Sequence, residues 1–146
     1  MIAKVLLAIA ALLSAAALSA EDEPSATDEG YSKVIAYVEA YNARDLQAMM
    51  ALMHDDVQWL SIEGSSVAIF ADGKQDLASQ MEGYFASPSA TRSEVLSYVV
   101  DGRFVSVREV ASWTDKEGAE KSQSALAVYE FEDGLVRRVW YYPASR

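Results

Sequence analysis

The residue best equipped to do chemistry in this sequence is Glu109. It sits in a stretch, Phe104 to Trp113, whose side chains alternate between two faces of a strand. One face carries Val105, Val107, Glu109, Ala111 and Trp113, the other Phe104, Ser106, Arg108, Val110 and Ser112. The first set is the more apolar, so it is expected to face the interior and take Glu109 with it. A carboxyl on a dry face ionises reluctantly and can give or take a proton near neutral pH. If Asp101-Gly102 makes a two-residue turn, Tyr98 opposes Val105, Leu96 opposes Val107 and Glu94 opposes Glu109. A facing carboxylate would raise the Glu109 pKa further, whereas Arg92, on the diagonal, would neutralise it. Trp59 and Ser61 share a face of an earlier strand, with Trp59 as an aromatic wall, and Ala127 and Tyr129 share a face of a later one.

The other reactive types are few. There is no cysteine, which excludes disulfides, thiol nucleophiles and thiolate metal sites. The single histidine, His54, is expected at a helix C-terminus, where an imidazolium interacts favourably with the dipole. Asp55 and Asp56 read as turn residues, since two neighbours cannot supply the oxygens a hard cation needs. No metal and no cofactor are expected. The net charge of −10 repels phosphate backbones, so no nucleic-acid partner is expected either.

The 146 residues contain no internal repeat and suffice for one core. Lys4, an apolar run from Val5 to Ala17, and the small residues before Glu21 predict a signal peptide over residues 1–20. Such a run is short for a membrane span of about 20 residues. The expected product is exported, periplasmic or secreted, and free of the membrane after cleavage. Residues 21–30 are acidic and read as a linker, leaving a domain over residues 31–146.

Within that domain, apolar spacing predicts a helix over Ser32 to Ala43 and, after an Asp45 cap, a second over Leu46 to Met53. Two short strands follow, Val57 to Ile62 and Ser66 to Phe70, joined at Glu63-Gly64-Ser65. A third helix, Lys74 to Ala86, turns Leu77, Met81, Tyr84 and Phe85 inward and stops at Ser87-Pro88-Ser89. The period then switches to two. Glu94 to Val100, Phe104 to Trp113, Ser122 to Phe131 and Leu135 to Tyr142 read as four strands. The expected fold is α+β, a curved antiparallel sheet wrapped over three helices.

Two stretches carry a family resemblance. Asp45 to Val57 (DLQAMMALMHDDV) resembles the helix-to-strand entry of NTF2-like, SnoaL-like proteins, and Tyr129 to Val136 (YEFEDGLV) is similar to their late hairpin. With the element order, the resemblance covers residues 31–142. It implies a cone with a deep, mostly apolar pocket, in a family that includes isomerases, cyclases, epoxide hydrolases, dehydratases and non-catalytic binders. Carried over residue by residue, Tyr37 matches the helix tyrosine that donates to an oxyanion in ketosteroid-isomerase-like members. Their general-base position falls on Ser61 and their second acid on Ala127. Neither residue can do that work, which disfavours steroid isomerisation and acid-catalysed cyclisation.

The last strand depends on its loop. A three-residue Glu132-Asp133-Gly134 loop, with Gly134 left-handed, puts Val139 and Tyr141 on the side of Ala127. A two-residue Asp133-Gly134 loop puts Arg138 and Trp140 there. The first leaves Leu126, Val128, Trp140 and Tyr142 on an apolar outer face, which suggests a homodimer. The expected ligand pocket comprises Tyr37, Trp59, Ser61, Tyr98, Val107, Glu109, Trp113, Ala127 and Tyr129. The expected function is binding of a small apolar molecule. The alternatives are proton-transfer catalysis by Glu109 with Tyr37, and a protein-interaction module acting through the outer face.

Overall fold

A computed structural model describes residues 26–87, 91–142 and 144. The expected signal segment, residues 21–25 and the Pro88-Ser89 helix stop lie outside the described residues. Helices α1 (Ala26–Ala43) and α2 (Leu46–Ala51) lead into strands β1 (Met53–Glu63) and β2 (Ser66–Asp72). Helix α3 (Lys74–Phe85) precedes β3 (Arg92–Asp101), β4 (Phe104–Thr114), β5 (Glu120–Glu132) and β6 (Leu135–Tyr141). The six strands form one curved, unclosed sheet in the order β2-β1-β6-β5-β4-β3. Every pairing is antiparallel except β1 with β6.

The core lies between helices and sheet. Val34, Tyr37 and Val38 fall at helical spacing on one face of α1 and are all buried. Leu77 and Met81 do the same on α3, and the sheet answers with Val105, Val107, Ala127, Tyr129, Val136 and Val139. Burial of each such aliphatic side chain favours folding by about 2 kcal/mol. Lys33 Nζ ties α1 to the β5–β6 turn through the Gly134 carbonyl (2.6 Å), while also pairing with Glu29 one turn away.

The helix begins at Ala26, so the second half of the predicted linker is helical. Gly30 is part of the packing, because a Cβ there would stand 3.0 Å from a methyl of Val105. Helix α2 is capped by Asp45, which accepts from Ala48 N at 2.9 Å, but it stops at Ala51. Met53 already pairs with Val136, and the next pairing is Gln58 with Arg138. The chain spends five steps on β1 against two on β6, so His54 to Val57 form a wide bulge. His54 is therefore a strand residue, not a helix C-terminus, and its Nδ1 accepts from Asp56 N at 3.1 Å.

Two further irregularities decide which side chains face inward. Gly102-Arg103, not Asp101-Gly102, is the turn between β3 and β4, since Asp101 pairs with Phe104. A bulge at Leu96 then brings Val95 opposite Glu109 and Ser93 opposite Ala111. Glu94 instead opposes Val110 and Arg92 opposes Ser112, both on the convex side, so neither faces Glu109. Between β5 and β6 the turn has two residues, Asp133 and Gly134, both at positive φ (51° and 75°). That combination is the two-residue hairpin turn matching strand twist. A bulge at Arg137 restores the alternation, so Val139 opposes Tyr129 and Tyr141 opposes Ala127 on the concave side.

Candidate active or binding site

A cavity of about 230 Å³ opens between α1, α3 and the concave face of the sheet. Its charged end is Glu109. Strand β4 presents this residue inward one alternation beyond the fully buried Val107, and the facing Ser93 donates from Oγ to Glu109 Oε1. Ser93 is itself held by α1: Asn42 Nδ2 donates to its carbonyl and Asn42 Oδ1 accepts from its N–H, each at 2.8 Å. The hydroxyl of Tyr129 makes a longer contact, 3.4 Å, to Glu109 Oε2.

Burial pushes the Glu109 carboxyl above its ordinary pKa, and the hydrogen bonds from Ser93 and Tyr129 oppose that rise only in part. Three tyrosines surround it, and burial holds Tyr37, Tyr129 and Tyr141 well above the ordinary phenol range. They lie close together, the rings of Tyr37 and Tyr129 having centroids 5.8 Å apart. They are neutral donors at any physiological pH. Among the described residues no ion pair involves Glu109.

Glu130 makes the contrast plain. It is the more deeply buried of the two, 7% exposed, but on the convex side, where Arg138 (3.1 Å) and Arg103 (3.4 Å) neutralise it. A buried carboxylate with two guanidinium partners is structural; one with only hydroxyl partners, facing a cavity, is a functional-site signature.

The cavity walls are largely aromatic. Tyr37, Trp59 and Tyr141 line it with Met81, and Phe70 lines it while remaining half exposed to solvent. At the mouth Tyr41 and Tyr84 join their hydroxyls at 2.9 Å, bridging α1 and α3. The guanidinium of Arg44 packs on the rings of Tyr41, Tyr84 and Phe85 at 5.3, 5.8 and 5.1 Å. Arg44 sits just past α1 at φ 59°, a costly conformation for a non-glycine residue, and this stack and its bond to the Thr91 carbonyl (3.1 Å) hold it there. The indole N–H of Trp59 is buried and has no protein partner among the described residues. Among those residues no cluster of three or more His, Asp or Glu could hold a metal.

Of the residues expected in the pocket, Tyr37, Trp59 and Glu109 line it. Tyr129 lies beneath, fully buried, and reaches Glu109 only through its hydroxyl. Val107 and Ala127 are core residues under the cavity floor. Tyr98 is elsewhere: its ring stacks on Tyr31 at 3.6 Å and remains half exposed. Trp113 borders a shallow outer groove with Gln123, and Ser61 a separate groove beyond Trp59 and Phe70. The sequence reading missed Tyr41, Phe70, Met81, Tyr84, Thr91, Ser93, Ala111 and Tyr141 as lining. Tyr84, Met81 and Ala111 had been assigned inward faces, but only the three-dimensional approach of α1 to α3 shows that those faces meet an opening.

A family model described as a SnoaL-like domain matches residues 34–139. No curated protein is significantly similar in sequence. Among solved structures, the chain resembles a cystatin-fold protein of Novosphingobium aromaticivorans at 25% identity and TM-score 0.64, over 77% of this chain and 96% of that one. It also resembles an LEH-like epoxide hydrolase of M. tuberculosis (18%, TM-score 0.66, 80% and 83%). A candidate ketosteroid isomerase of Kribbella flavida is similar at 21% identity (TM-score 0.63, 82% and 82%).

Proposed function

The chain belongs to the SnoaL-like domain family, and on that premise we propose that it binds a small, largely apolar molecule in its aromatic cavity, anchored at Glu109. The observation that carries this reading is the part-buried Glu109 carboxyl, without an ion-pair partner among the described residues, at the end of a largely aromatic cavity. A pocket with apolar walls and one convergent polar group is the usual form of a small-molecule site. Native mass spectrometry of protein purified from its own host tests it. A retained small molecule, released on mild denaturation, is expected. Ligand-free protein whose tryptophan emission also ignores a panel of small apolar compounds would count against binding.

A second reading, proton-transfer catalysis, is favoured by one specific feature. The Glu109 carboxyl has a raised pKa and accepts from the neutral hydroxyls of Ser93 and Tyr129, so it can hold a proton for a substrate, and Tyr37 lines the same cavity. Family relatives include an epoxide hydrolase and a candidate isomerase, but the general-base and second-acid positions of isomerase-like members are Ser61, outside the cavity, and Ala127, beneath it. Any catalysis here would have to be run from Glu109.

A further inference from the structure

We propose that the cavity selects an organic cation, a small substituted ammonium group, held among the rings of Tyr37, Trp59, Phe70 and Tyr141 and against the carboxylate of Glu109. This deepens the binding reading above and rests on it. Six of the eleven lining residues are aromatic, far more than closing an apolar pocket requires. Around Trp59 the rings of Tyr37, Phe70 and Tyr141 stand with centroids at 5.9, 6.1 and 5.8 Å. Their planes meet the indole at 78°, 30° and 61°, so they form walls at differing inclinations, not a flat stack. Ring faces carry negative quadrupolar charge, and a box of them is the known solution for a soft, weakly hydrated cation.

Charge points the same way. Among the described residues Glu109 is the only carboxylate in the lining, and no arginine or lysine is part of it. The groups facing it are hydroxyls: Ser93 from β3, Tyr129 from β5, and beyond them Tyr37 from α1 and Tyr141 from β6. At the mouth the guanidinium of Arg44 lies on the outer rings and donates from Nη2 to the Thr91 carbonyl, while its buried Nη1 has no protein partner among the described residues. A buried carboxylate is stable when a charge meets it, and here the ligand is the group that can supply one. The net charge of −10 adds long-range attraction for a cation and repulsion for an anion.

Binding of a fixed cation favours the ionised carboxyl. Below the apo pKa of Glu109 the cation therefore expels a proton, and affinity rises with pH until the empty site is already ionised.

Choline and 3,3-dimethylbutan-1-ol, its neutral carbon isostere, make a matched pair of probes, and titration calorimetry on wild type and Glu109→Gln reads the difference. Choline is expected to bind wild type about tenfold more tightly than the isostere, with proton release detected in buffers of differing ionisation enthalpy. In Glu109→Gln that preference should fall away while isostere affinity holds, which also shows that the variant is folded. Equal or tighter binding of the isostere by wild type would overturn the ammonium proposal and leave the cavity reading standing. A choline preference that survives in Glu109→Gln would overturn Glu109 as the anchor. Binding of neither probe to wild type would overturn the ammonium proposal, the broader cavity reading being decided by the native mass spectrometry and compound panel above.

Discussion

At the scale of single residues, Glu109 is the carboxyl whose environment raises its pKa. Its raised pKa has a definite consequence for stability. The native state holds this proton more tightly than the unfolded chain. The contribution to folding is fully present below the unfolded pKa and is lost as pH rises through the folded value. Glu109→Gln, which keeps shape and hydrogen-bonding capacity but cannot ionise, should remove that loss. The variant is expected to be more stable than wild type at neutral pH, with the two converging in acid. Urea unfolding at neutral and acidic pH checks this, and a variant less stable at neutral pH would contradict it. The inward position of Glu109 was legible because its neighbours alternate cleanly. Ser93, its hydrogen-bond donor, was not: the local sequence Arg92-Ser93-Glu94 offers no apolar contrast between faces.

At the scale of elements, the sequence announced all nine helices and strands but not the bulges between them. Asp133-Gly134 and Gly64-Ser65 turns leave compositional marks; an extra residue in mid-strand does not. The bulge at Leu96 moved both Glu94 and Arg92 off the Glu109 face, because a one-residue slip sends every side chain to the other side. The bulge at Arg137 had the opposite effect. It placed Val139 and Tyr141 on the concave side through a two-residue turn, where the sequence reading had needed a three-residue loop for the same result. The bulge at His54 to Val57 explains why a histidine beside two aspartates reads as a helix end: Met53 continues the apolar spacing of α2 although its backbone has already joined the sheet.

At the scale of the whole molecule, the α+β cone follows from element order alone, since a single curved sheet must cover three amphipathic helices. The convex face was harder to judge, and the register now defines it. Ile69, Leu60, Trp140 and Val128 lie side by side across β2, β1, β6 and β5, with Leu126 and Tyr142 exposed beside them. A row this apolar predicts a homodimer through the convex face. Trp140→Glu should convert it to monomer in light scattering at roughly micromolar to tens-of-micromolar concentrations, and a wild-type monomer there would contradict the interface. The cavity lies on the other side of the sheet, so the substitution should leave ligand binding intact. The most direct measurement of the whole account is made at that cavity: a carboxyl-carbon NMR titration of Glu109 in the ligand-free protein. The predicted midpoint lies above the ordinary glutamate value of about 4.3. A midpoint at or below that value would mean that water or a cation already pairs the carboxylate, and the site described here would have lost its anchor.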